Sequence, residues 1–131
     1  MQHFMVLAKD LEKTRVFYCD VLGLRQGPRP PFDFKGLWIY AGDVACIHVA
    51  ERRSYAETSH TLDIPMASGA HGSGSVDHIA FAASDYDELA ARLARHGVES
   101  RLNVVPGNGL RQLFVFDPDG IKIEINIPPS A

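Results

Sequence analysis

What most limits the fold of this chain is that it reads as one pattern written twice. Residues 2–8 alternate weakly and predict a strand, and Asp10 predicts the N-cap of a helix over Leu11–Leu22 with Phe17, Tyr18, Val21 and Leu22 on one stripe. Gly23 stops that helix, a loop with Pro28, Pro30 and Pro31 follows, and residues 36–41 and 44–50 predict two strands joined at Gly42-Asp43. The second half repeats the order. It has a strand over Val76–Ala83, then a helix capped by Ser84 or Asp85, carrying Tyr86, Leu89, Ala90 and Leu93 and stopped by Gly97. Strands follow over residues 98–105, 111–117 and 120–127, the last two meeting at Asp117-Pro118-Asp119-Gly120. The pattern is βαβββ twice. It predicts one domain over residues 1–131, with module one at about 1–50, a linker or cover loop at about 51–75 and module two at about 76–128.

The repeat aligns residues that can bind metal. His3 precedes His48 by 45 residues, and His78 precedes Glu124 by 46. On the last strand Ile121, Ile123, Ile125 and Ile127 share one face, and Lys122, Glu124 and Asn126 share the other. On the strand over 44–50, Ala45, Ile47 and Val49 oppose Val44, Cys46 and His48. Taken singly, each histidine reads as a hydrogen-bonded structural residue. Their matching places in a repeat favour a shared centre instead. The offset of 76 from His48 to Glu124 also aligns Trp38 with Phe114 and Tyr40 with Phe116. These rings read either as core or, for Trp38 and Phe114, as the lining of a substrate cavity, with Arg111 and Gln112, at the mouth of the seventh strand, as further substrate-binding candidates.

Composition excludes other classes of function. The 131 residues are 46% apolar and carry a net charge of −3, with basic residues scattered, so nucleic acid is not an expected partner. No apolar run approaches a membrane span, the start at Met1-Gln2-His3-Phe4 does not read as a secretion signal, and Cys19 and Cys46 read as two reduced thiols. A cytoplasmic protein is expected. Ser68, Ser73 and Ser75 sit in no nucleophile elbow, and Gly72-Ser73-Gly74-Ser75 is no phosphate loop. His60 and His71 lie in the segment between the modules, and His96 ends the second helix, where it can meet terminal carbonyls.

Four stretches carry a family resemblance: His3-Phe4-Met5-Val6-Leu7-Ala8-Lys9-Asp10-Leu11, Phe17-Tyr18 with Val21-Leu22-Gly23-Leu24, Val76-Asp77-His78-Ile79-Ala80-Phe81, and Phe114 through Glu124 around Asp117-Pro118-Asp119-Gly120. Together they resemble the vicinal oxygen chelate superfamily, which includes glyoxalase I, extradiol dioxygenases, fosfomycin-resistance proteins and bleomycin-binding proteins. The resemblance implies an α+β fold in which two βαβββ modules form a cupped, barrel-like mixed sheet with helices outside. It implies a homodimer, with the cup completed within one chain or between two. By position, His3, His78 and Glu124 match the family's metal-binding triad. His48 matches the place of a fourth ligand, usually Glu, in glyoxalase I and of an acid–base histidine in extradiol dioxygenases.

That resemblance implies an enzyme that captures two adjacent oxygens of a small substrate on a divalent ion. A dioxygenase would use Fe or Mn, with His48 as acid–base group and Trp38 and Phe114 beside a ring; Phe114 stands where such enzymes commonly carry Tyr. A glyoxalase-like lyase or isomerase would use Ni or Zn, with His48 as ligand and Glu124 as catalytic base. Addition to an epoxide, as in fosfomycin resistance, and a metal-free binding protein of the bleomycin-resistance kind are further readings. His48 places the dioxygenase first.

Overall fold

A computed structural model describes residues 1–130 of the protein and divides into two compact units, the first spanning Met1–Ala70 and the second beginning at His71. In the first unit β1 (Phe4–Ala8) leads into α1 (Leu11–Arg15), followed by β2 (Arg25–Gly27), β3 (Gly36–Ala41), β4 (Val44–Glu51) and α2 (Arg52–Leu62). The second unit holds β5 (His78–Ala82), α3 (Tyr86–Arg95), β6 (Arg101–Val104), β7 (Arg111–Phe116) and β8 (Lys122–Ile127). Each unit is a four-stranded mixed sheet, ordered β1-β4-β3-β2 and β5-β8-β7-β6, with its first strand parallel to its last. The predicted α+β class and the doubled βαβββ order are therefore present.

Helix starts follow the sequence. Asp10 accepts from the Lys13 N–H and Asp85 from the Glu88 N–H, each satisfying an orphan donor of the first turn. The expected stripe on the first helix is buried at Phe17, Tyr18 and Val21, but the helix is not regular. From Val16 to Val21 it widens to a π-helix, and the Leu22 N–H reaches the Phe17 carbonyl. Gly23, at φ 85°, lets the Leu24 N–H close on the Tyr18 carbonyl and end the turn. The isoleucine face of β8 is buried as its alternation predicts, as are Val6 and Ala8 of β1 and Ile47 and Val49 of β4.

Two elements depart from expectation. The segment over 51–75, expected as linker or cover loop, contains the eleven-residue helix α2. Its Ser, Thr, Tyr and His residues are weak helix formers, and with Tyr55, Ala56 and Leu62 as its apolar members it has no long stripe to reveal a period. Its ends are fastened instead. The Ser54 hydroxyl accepts from the Lys35 N–H at 2.8 Å, Arg52 donates to the Ala67 and Gly69 carbonyls, and Asp63 turns left-handed at φ 53°. No strand was expected at β2; it is three residues at a sheet edge, too short to alternate. Several strands are also shorter than expected, so His3 lies just before β1. Among the described residues no helix is long and apolar enough to cross a membrane.

Candidate metal centre and ligand cavity

The two sheets share a register, and it sets equivalent residues side by side. Phe4 opposes Ile47 as Ile79 opposes Ile123, and Met5 opposes His48 as Ala80 opposes Glu124. On the other flank Trp38 opposes His48 as Phe114 opposes Glu124. Each central strand thus carries a metal-binding type of residue between an aromatic neighbour and a small or apolar one. The same diagonal contact occurs in both units. The His3 ring stacks on His48 with centroids 3.7 Å apart, and His78 Nε2 lies 2.9 Å from Glu124 Oε2.

In the second unit the histidine is gripped at both nitrogens. Asp77 Oδ2 lies 2.8 Å from His78 Nδ1 and 2.8 Å from Lys122 Nζ. Lys122 reaches it because it pairs with His78 across β5 and β8. The bond to His78, then the one to Lys122, hold the Asp77 carboxyl below its usual range. Glu124 is buried, and its second oxygen accepts from Gln112 Nε2 at 2.8 Å. Gln112 in turn accepts from Asn103 Nδ2 at 2.8 Å, which fixes its amide. Phe114 meets His78 edge-on at 6.3 Å. Either a protonated ring donates here to the Glu124 carboxylate, or, with the ring proton on Nδ1 facing Asp77, Nε2 and that oxygen are two lone-pair donors placed to take a cation. Two donors at right angles around one ion, each about 2.1 Å from it, stand about 3 Å apart, so the pair fits a divalent cation.

In the first unit the ring of His48 lies between two others. His3 covers one neighbour position, and Trp38 stacks on His48 at 3.9 Å with planes 7° apart. Burial, and after it the charge of His3, push the His48 pKa below that of a free imidazole. Beside it opens a cavity of about 450 Å³ lined by Phe32, Phe34, Trp38, His48, Tyr55 and other side chains. Trp38 lines this cavity; Phe114, expected to share it, is not among its lining side chains.

The remaining expected residues are placed as follows. Gln112 touches Glu124, whereas Arg111 lies over the Tyr86 ring at 4.6 Å. Tyr40 donates its hydroxyl to the Pro28 carbonyl, and Phe116 is exposed. Within neither unit do three or more His, Cys, Asp or Glu side chains of the described residues gather as a complete metal centre. Sequence reasoning overlooked Asp77 and Lys122, although adjacency and the strand pairing connect both to His78. It also overlooked Phe32, Phe34 and Tyr55, which lie on a loop and a helix without visible period.

The sequence profile of the Glyoxalase/Bleomycin resistance protein/Dioxygenase superfamily matches residues 1–125. The chain belongs to that superfamily. It is 29% identical to the uncharacterized protein YaeR of Escherichia coli over 95% of this chain and 93% of that one. It is also 29% identical to a lactoylglutathione lyase of Salmonella typhimurium, over 94% of this chain and 88% of the lyase. In structure it is similar to the fosfomycin resistance protein FosX of Listeria monocytogenes, with a TM-score of 0.70 and 18% identity over 98% of this chain and 93% of FosX. That level of identity establishes the shared fold alone. Superfamily members generally use divalent metals, but one fold here serves different chemistries, and function must be argued from the site.

Proposed function

We propose that this protein is a divalent-metal-dependent enzyme that binds a small substrate through two adjacent oxygens. His3, His78 and Glu124 would hold the ion, with His48 beside it. The observation that carries the reading is the shared register: the same diagonal contact between residues of metal-binding type recurs in both sheets. A bound divalent ion supplies Lewis acidity to the two substrate oxygens. The chain's own residues do the rest. Asp77 and Lys122 orient His78, Gln112 orients Glu124, and His48 offers a ring nitrogen for moving a proton at a substrate oxygen. The ligands divide between the two units, so the reading requires both units to contribute to one ion, in one chain or between two copies of a homodimer.

For the reaction, the dioxygenase reading stands first, with Fe or Mn, because His48 occupies the acid–base place. A second reading, a glyoxalase-like lyase with Ni or Zn, is favoured by the similarity to lactoylglutathione lyase. His48→Gln separates them. In a dioxygenase it keeps the ion and lowers kcat about 100- to 10,000-fold, the usual contribution of a general acid or base. In a lyase it weakens the metal itself. Metal content after loading with each ion, oxygen uptake with catechols, and turnover of a hemithioacetal are the measurements. Wild-type protein that retains none of the four ions ends the proposal.

A further inference from the structure

The cavity of the first unit is built from rings. Phe32 and Phe34 stack at 5.3 Å with planes 14° apart, Phe34 meets Tyr55 edge-on at 4.9 Å, and Phe32 leans toward Trp38 at 6.3 Å. These faces and edges offer both signs of the aromatic quadrupole to an occupant. The volume, about 450 Å³, falls within the range of about 300–1,000 Å³ that small-molecule sites occupy. Phe32 remains 46% exposed, apolar surface that an occupant would cover.

The loop that brings two of these rings is fastened in place. Arg29 lies over Phe32 at 5.2 Å and over Phe34 at 5.0 Å, and its Nη2 donates to the Phe34 carbonyl at 2.7 Å. The Lys35 N–H donates to Ser54 on α2, joining the loop to the helix that carries Tyr55. A site held in shape before binding loses less freedom on binding. His48 and Asp33 supply polar groups to the lining.

We propose that this cavity binds a flat aromatic ring, so that the substrate class is aromatic or heteroaromatic rather than aliphatic. The inference rests on the preceding reading for the fate of the ring's oxygens, but the binding itself needs no metal. Trp38 is the sole tryptophan of the chain and lines the cavity, so its emission reports occupancy. Metal-free whole protein, kept in chelator, is titrated with catechol and separately with trans-cyclohexane-1,2-diol, which has adjacent oxygens but no π system. Catechol should quench Trp38 saturably and bind about tenfold tighter than the diol, given the contribution of a few aromatic contacts. Tyr55→Leu and Phe34→Leu, which keep apolar bulk but remove the ring, should each weaken catechol about two- to tenfold and leave the diol unchanged. Equal affinity for the two compounds, indifference to both variants, or no response of Trp38 to catechol overturns the inference. Because chelator is present throughout, these outcomes are independent of whether the protein takes up metal, which is the separate test of the preceding reading.

Discussion

Glu124 shows how a strand can deliver a charged residue to a buried place. Its carboxylate has Gln112 on one oxygen and His78 on the other, so neither oxygen is left without a partner. Asp77 holds His78 and Lys122, and its effect on His78 should be visible in metal affinity. A carboxylate that holds the far nitrogen of a ligating imidazole fixes its tautomer and direction, and its loss typically weakens metal 10- to 100-fold. Asp77→Ala should therefore raise the metal Kd about 10- to 100-fold. The thermal unfolding of the metal-free protein should barely move, since Asp77 is largely exposed. Asp77→Asn, which keeps an acceptor, should recover part of the loss. Competition with a chromophoric chelator measures all three, and a wild-type Kd in Asp77→Ala rejects the assignment. His3, His48, His78 and Glu124 could be singled out as candidates because they hold matching places in a repeat. Asp77 was not, because one more acid beside a histidine resembles any solvated surface charge. Cys19 offers a further check. Burial pushes its thiol pKa up, which leaves less thiolate at neutral pH. Its reaction with a disulfide reagent should be slower than that of a free thiol.

At the scale of elements, periodicity decided what could be read. The strands β4 and β8 bury the faces expected, at Ile47 and Val49 and at Ile123, Ile125 and Ile127, although Ala50 and Glu124 on the opposite faces are buried as well. The helix α2 was invisible because hydrogen bonds at its ends, rather than an apolar stripe, tie it to the unit. The second strand of the first module hides in Arg25–Gly27, where pairing with Trp38–Tyr40, rather than any pattern, makes it a strand. Close approach of β3 to β4 gives a test at this scale. A Cβ on Gly36 would stand 2.3 Å from the Val49 carbonyl oxygen, and the obstacle is backbone rather than a flexible side chain. Gly36→Ala should therefore force the two strands apart and cost about 1–3 kcal/mol, as overpacking does. A urea transition with an unchanged midpoint would show that the strands separate freely.

At the scale of the whole molecule, the proposed centre requires both modules. Each sheet supplies two residues of metal-binding type, and two donors hold a divalent ion poorly where three or four hold it well. The doubled order was readable from strand and turn signals, since each module repeats the same caps, stops and hairpins. Whether one chain or two complete the centre is not encoded in such local signals, because it depends on how the modules pair. Two single variants address it. His3→Ala and His78→Ala should each lose tight metal binding, because each removes a ligand from a different unit. The two proteins are then mixed, unfolded and refolded together. In a symmetric dimer, random pairing makes half of the dimers mixed, and a centre shared between copies leaves one intact site in each of these. About one quarter of the wild-type metal capacity should then return, whereas a centre built within one chain returns none. Metal retained at wild-type affinity by either single variant would remove that histidine from the centre, and with it the role assigned to the repeat.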